Sequence, residues 1–261
     1  MNLILKIIKY EFSNILRSKW LIIYTLFFLA VSYSLFTFGG DSGKALVSLM
    51  NVIVIIIPLI SIIFGTMYLY NSREFVETIL CQPISRKALF IGVYLGTVIP
   101  LSLSFAAGVL IPFFLSGNYD EINTFLLLMV TGIFLTIIFT AAAFVIGLKN
   151  DDKVKGLGFA IFVWLLLAIV YDGIVLFVIY IFQDYPVENA VLALSILNPV
   201  DLGRILFLLN FDISALMGYT GALFQKFFSG NAGILVSSAS LCIWSALLIL
   251  WGLKSFDGKD F

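Results

Sequence analysis

Six apolar stretches, each long enough to cross a bilayer, constrain this chain more than any other feature. They cover approximately residues 20–38, 45–70, 88–115, 123–148, 157–182 and 232–253. A hydrocarbon core of ~30 Å needs about 20 helical residues. In lipid the backbone must satisfy its own hydrogen bonds, so stretches of this length cross as helices. Charge content agrees: 62% of residues are hydrophobic and 11% charged, with a mean hydropathy of +1.12. A soluble domain carries roughly 25% charged residues, and a chain with so few cannot cover a water-facing surface. The expected fold is all-α: a polytopic membrane protein with six transmembrane helices in one domain over residues 1–261. The first stretch reads as a span rather than a cleaved leader. Pro58, Pro100 and Pro112 fall inside spans, where kinks are the simpler expectation than gating hinges.

The basic residues set the expected orientation. With the N terminus in the cytoplasm, Lys6, Lys9, Arg17, Lys19, Arg73, Arg86, Lys87, Lys149, Lys153, Lys155, Lys254 and Lys259 lie inside. Lys44, Arg204 and Lys226 lie outside. Twelve against three is a strong positive-inside bias. Both termini are then cytoplasmic, which requires an even number of spans.

Three segments are not spans. Residues 2–18 read as an amphipathic interfacial helix, with Ile4, Ile8, Phe12, Ile15 and Leu16 on one side and Lys6, Lys9, Ser13 and Arg17 on the other. Glu11 sits at the edge of the apolar face, where it could pair with a basic residue of a neighbouring cytoplasmic segment. In residues 71–87, Glu74, Glu77 and Thr78 fall on one side of a short helix and Phe75, Ile79 and Leu80 nearer the other. Ser72 is a candidate cap and Pro83 a stop. Such a helix suits docking to a soluble partner or lying against the membrane, and amphipathicity alone leaves these even. Residues 183–231 form the one long external segment, too apolar for a solvated loop. Asn198-Pro199 is a helix start, Asp201 and Arg204 stand three apart and can pair, and Asp212 can cap a second short helix over 213–217. A full span over 204–223 would give seven crossings and an external C terminus, so short re-entrant helices dipping into the outer leaflet fit better.

Catalytic chemistry is poorly supported. The chain has no histidine, which excludes Ser-His-Asp and Cys-His arrangements and the commonest metal ligand. Gly39-Gly40-Asp41-Ser42-Gly43-Lys44-Ala45 resembles a phosphate loop but lacks its first glycine and its Mg²⁺-binding hydroxyl. Any ATP-driven work must draw on another chain. Zero net charge indicates no nucleic-acid face. The sulfur-bearing residues, including Cys81 and Cys242, are scattered as core packing would scatter them, and no metal site is expected. Asp172 is the one acidic residue within a span. A carboxylate there must face protein or water, either as a functional conduit or lock or as a satisfied structural hydrogen bond.

These pieces resemble one family, the permease subunits of ABC-2-type ABC transporters, over nearly the whole chain. Lys9-Tyr10-Glu11-Phe12 followed by Arg17-Ser18 looks like its surface helix. Arg73-Glu74, Glu77-Thr78, Leu80 and Pro83-Ile84-Ser85-Arg86 look like its cytoplasmic coupling helix. Phe75-Val76 in place of small residues, and no lysine after Gly92, are departures from its pattern. Within the family, Cys81-Gln82-Pro83-Ile84-Ser85-Arg86 and Leu197-Asn198-Pro199-Val200-Asp201-Leu202-Gly203-Arg204, extended by Asp212-Ile213-Ser214, are most similar to permeases of the copper-processing system for nitrous oxide reductase maturation. The resemblance implies a homodimer in the bacterial inner membrane, with no cofactor held by this chain. It also implies cytoplasmic ABC ATPase subunits that bind ATP and Mg²⁺, and a periplasmic accessory repeat protein docked outside. The implied task is delivery of copper or sulfur, either through this subunit or by mechanical signalling. An ABC-2 exporter of a lipid, peptide or small hydrophobic molecule, and a membrane scaffold without ATP coupling, are the rival readings.

Overall fold

The computed structural model describes residues 3–117, 121–182, 188–209 and 231–259, and every regular element among them is helical. The chain runs α1 (Leu3–Leu16), α2 (Lys19–Phe38), α3 (Ser42–Asn71), α4 (Arg73–Leu80), α5 (Arg86–Ser116) and α6 (Ile122–Lys149). It continues with α7 (Lys153–Leu165), a π turn (Leu166–Val170), α8 (Tyr171–Ile181), α9 (Glu188–Leu197), α10 (Pro199–Leu208) and α11 (Asn231–Asp257). Six of these units are long and apolar enough to cross a membrane: α2, α3, α5, α6, α7–α8 and α11. α9 and α10 form a pair bent by 109°.

Local chemistry fixes most of the ends. Asp41, Ser85 and Asp152 each accept a hydrogen bond from the first turn of the helix that follows, at Gly43 N, Ala88 N and Val154 N, which satisfies an otherwise orphaned donor. Gly40 turns the three-residue link between α2 and α3 at φ 68°, a left-handed conformation open to glycine. Three prolines stand inside spans without breaking them. α3 runs through Pro58 and α5 through Pro100 and Pro112, each proline buried among neighbouring helices.

The break comes instead where no proline stands. The fifth span, expected as one helix, widens into a π turn at Leu166–Val170, and its register shift leaves backbone open to tertiary partners.

α6 is the central column, with 61% of its spanning window buried, against 50% for α3 and α5, 22% for α2 and α11, and 11% for α7–α8. The main core joins α2, α3, α5, α6 and α10 through large side chains such as Phe28, Phe105, Phe113, Phe139 and Phe207. Phe113 stacks on Phe125 at 3.8 Å, and Phe105 packs where Gly132 leaves room. A second core lies at the α4 end of the bundle, built from Ile7, Val76, Phe90, Tyr94, Phe144 and Phe256. The outward faces of α2, α7, α8 and α11 carry exposed Leu, Ile, Phe and Trp, as helices facing lipid do.

α1 uses a different face from the expected one. Ile7, Glu11 and Ile15 are its buried residues, and Leu16 is exposed. α5 explains the rotation: Gly92 and Gly96 open a groove on its surface, and Ile7 and Glu11 fill it. Glu11 therefore sits at the middle of the contact, not at its edge.

Candidate functional site

Two regions gather the polar residues of this apolar chain, one at the α4 end of the bundle and one beside the middle of the α7–α8 span and of α11. At the first, α4 leaves α3 after the single residue Ser72. Ser72 does not cap α4 with its side chain; its carbonyl accepts from Val76 N at 2.9 Å. Val76 is fully buried in the second core, Phe75 stacks on Tyr10 of α1 at 5.1 Å, and Ile79 and Leu80 are half-buried. Glu74, Glu77 and Thr78 stay exposed on the other side, with the Thr78 hydroxyl donating to the Glu74 carbonyl at 2.7 Å. One face of α4 is thus anchored, and the other presents an acidic ridge.

Arg73 and Arg86 point into the bundle rather than along that ridge. Arg73 donates to the carbonyls of Asn150 and Asp151 at 3.0 and 3.2 Å, with its guanidinium over the Tyr70 ring at 4.7 Å. Arg86 donates to the carbonyls of Asp257 and Lys259 at 3.0 and 2.7 Å. Lys259 in turn donates to the Leu148 carbonyl at 2.6 Å and to Asp151 Oδ1 at 2.9 Å. That ammonium holds the Asp151 carboxyl below the usual carboxylate range, with a smaller contribution from Arg73. The flanks of α4 are therefore tied to the α6–α7 loop and to the end of α11. Pro83 is exposed in the turn after α4, and Ser85 caps α5.

Glu11 is buried and accepts a hydrogen bond from the Tyr68 hydroxyl of α3. The expected basic partner is replaced by a phenol. Burial raises the Glu11 carboxyl above its ordinary range, opposed in part by the Tyr68 hydrogen bond. Lys9 and Arg17 remain exposed on the outer side of α1.

The second region centres on the break between α9 and α10. Asn198 caps α10 by accepting from Val200 N at 3.0 Å, with Pro199 at the first helical position. Its amide also donates to the Leu167 carbonyl in the π turn at 2.9 Å. The last carbonyls of a helix have no partner within it. Here Leu194 O accepts from the Tyr171 hydroxyl at 2.7 Å and Ile196 O from Trp244 Nε1 at 3.1 Å. Non-helical backbone at membrane depth persists only where protein covers it, and these three side chains provide that cover.

Beside the break, Arg204 donates to Asp172 Oδ2 at 3.0 Å and lies 3.9 Å from Asp201 Oδ1. The expected Asp201–Arg204 pair is present but is the longer contact. Asp172 is the nearer partner, so one guanidinium serves two carboxylates. Asp212 and the second short helix expected over 213–217 lie outside the described residues.

The sequence gives weak signals for the residues missed. Tyr171 and Trp244 carry donors that must find acceptors when buried, but nothing local says which helix supplies them. Lys259 and Asp151 are ordinary loop charges until the fold brings the ends of α6 and α11 together.

Residues 5–261 match the family model described as ABC-2 family transporter protein. The chain belongs to the ABC-2 transporter family. It is 24% identical over 236 residues to the probable ABC transporter permease protein NosY of Pseudomonas aeruginosa, covering 84% of this chain and 86% of that protein. It is likewise 24% identical over 232 residues to the protein of the same name in Stutzerimonas stutzeri, covering 81% and 83%. As an ABC-2 permease it is a polytopic membrane subunit of a transporter, and the α4 ridge and the α9–α10 break are the polar regions of that subunit.

Proposed function

We propose that this ABC-2 permease pairs with a second copy in the bacterial inner membrane and relays the ATP-driven motion of separate cytoplasmic ATPase chains to its far end. The observation that carries the reading is the α4 ridge. Glu74, Glu77 and Thr78 are exposed on a short helix whose opposite face is anchored by Val76 and whose start is locked through Arg73 to the α6–α7 loop. A load applied there passes into the spans rather than into a loose loop. Twelve of the 15 lysines and arginines, those from Lys6 to Lys19 and from Arg73 to Lys155 with Lys254 and Lys259, cluster at this end, which supports a cytoplasmic α4 and cytoplasmic termini.

The transported or signalled task is delivery of copper or sulfur for nitrous oxide reductase maturation, with a periplasmic repeat protein at the far end. The NosY relatives support that assignment, as does the family resemblance carried by segments 81–86 and 197–204. Mechanical signalling is favoured over metal passage because the thiols do not converge: Cys81 lies in the turn after α4 and Cys242 on the exposed side of α11. Co-purification tests the reading. An ATPase chain should accompany the wild-type permease and be lost from E74A/E77A. Intrinsic ATPase activity in the isolated chain, or retention of the partner by E74A/E77A, overturns it.

A further inference from the structure

At the α4 end, a crevice of about 430 Å³ opens between the ends of α6 and α11, lined by Lys149, Asp151, Lys254 and Lys259. Its charges are unequally engaged. Lys259 and Asp151 neutralise each other at 2.9 Å. Asp257 faces Lys87 at 4.0 Å, Asp152 caps α7, and Lys153 donates to the Asn71 side chain. Lys149 and Lys254 are both exposed, and neither pairs with a carboxylate among the described residues. Lys149 lies instead over the Trp251 ring, 4.2 Å from its centroid.

The helix below the crevice supplies the second half of the argument. Ile243, Leu247, Leu250 and Trp251 are all about half exposed or more, at 59, 58, 62 and 48%. Their spacing puts them on one face of α11, and Lys254 follows on the same face one turn later. An apolar stripe that ends in a tryptophan and then a lysine is the pattern of a helix leaving hydrocarbon through the headgroup layer. The two free ammonium groups therefore stand at the depth of lipid phosphates, directly above a surface that acyl chains would cover.

We propose that this crevice is a binding site for the headgroup of an anionic phospholipid, whose phosphate is held by Lys149 and Lys254 while its chains lie along the α11 stripe. A basic pocket between spans recognises such headgroups by charge. A zwitterionic lipid fills the stripe equally well but brings no net charge to the lysines. A small soluble phosphate satisfies the lysines but leaves the stripe unused.

Native mass spectrometry on the delipidated full chain tests the site, using phosphatidylglycerol, phosphatidylcholine and glycerol phosphate as probes. Phosphatidylglycerol should be retained in preference to phosphatidylcholine, and K149A/K254A should lose roughly thirtyfold of that affinity. K149R/K254R should keep it, as should K6A/K9A, which removes the same charge from α1. Equal binding of both lipids by the wild type, or an equal loss in K6A/K9A, overturns the site. Displacement of phosphatidylglycerol by an equal concentration of glycerol phosphate overturns the lipid as its source. Should K149A/K254A fail to fold, brominated lipids decide on the unmodified lysines. Brominated phosphatidylglycerol should quench the fluorescence that W251F removes more strongly than brominated phosphatidylcholine, and equal quenching sinks the proposal.

Discussion

At the residue scale, the informative groups are charges placed where lipid or protein surrounds them. Arg204 holds Asp172 and Asp201 together. Removing it leaves two facing carboxylates with no cation, so R204A should lower stability by about 1–3 kcal/mol, a range discounted for partial exposure. Thermal unfolding in detergent measures this, and R204A/D172N should melt above R204A because one of the stranded charges is gone. Equal melting of the two variants would show that the ion pair does not hold this region together. Glu11 gives a pH dependence. Its folded-state pKa is raised by burial, so its contribution to stability is fully present below the ordinary carboxylate range and is lost as pH rises through the raised value. The wild type should therefore lose melting temperature relative to E11Q, which cannot ionise, as pH rises above the ordinary carboxylate range at about 4. A flat difference would place the Glu11 charge in water. The sequence marked Asp172 because a carboxylate within a span is costly, Glu11 because it sits at the edge of an apolar face, and Asp201 with Arg204 because they stand three apart. It did not reveal Tyr68 as the partner of Glu11, since a phenol 57 residues away has no local signature.

At the scale of elements, the length and hydropathy of each span were sufficient to find it, because lipid leaves a long apolar segment no alternative to helix. The interruptions were not legible in the same way. Within the spans proline was the obvious local signal, yet α3 and α5 absorb Pro58, Pro100 and Pro112. Asn198-Pro199 did mark the start of α10, while the π turn at Leu166–Val170 and the angle of the bend before Pro199 depend on tertiary partners. Asn198, Tyr171 and Trp244 reach across from other elements to the exposed carbonyls, and a sequence does not order such contacts. The same limit rotated α1: its apolar stripe is broad, and the Gly92–Gly96 groove on α5 selects which part is buried. A Cβ at Gly92 would meet Ile7 Cγ2 at 2.7 Å, and one at Gly96 would meet Glu11 Cβ at 2.5 Å. G96V should therefore lift α1 from α5 at a cost of about 1–3 kcal/mol. An Ile15→Cys reporter, buried in the parent, should then label faster with a water-soluble maleimide. G158V provides the control, because a Cβ there meets nothing within 4 Å. Equal labelling in the two backgrounds would mean that α1 is held by something other than this groove.

Across the whole molecule, the two polar regions are joined through the least buried span and the last one. Arg73 ties α4 to the loop that starts α7, and Arg86 ties the segment after α4 to the end of α11. Midway along these spans, the continuation of α7 and the middle of α11 carry the groups that support the α9–α10 break: Leu167 O, Tyr171 and Trp244. Motion imposed on α4 therefore has two routes to the break, one along α7 and one along α11. The family resemblance grouped Arg73 and Arg86 with Glu74 and Glu77 in one coupling helix; in the fold the arginines and the glutamates point in different directions. This separation predicts different failures. On the proposed coupling, E74A/E77A removes the surface offered to the ATPase chains, whereas R73A/R86A leaves that surface intact and loosens what lies behind it. R73A/R86A should therefore still co-purify with the ATPase chains. ATP should no longer change the mobility of a spin label on an L197C variant, a position exposed beside the break, with the response falling about fivefold or more. Loss of the ATPase chains from R73A/R86A, with the bundle still melting normally, would instead put both arginines at the partner interface. An undiminished response at residue 197 would move the route into α3 and α6, the two most extensively packed neighbours in the bundle.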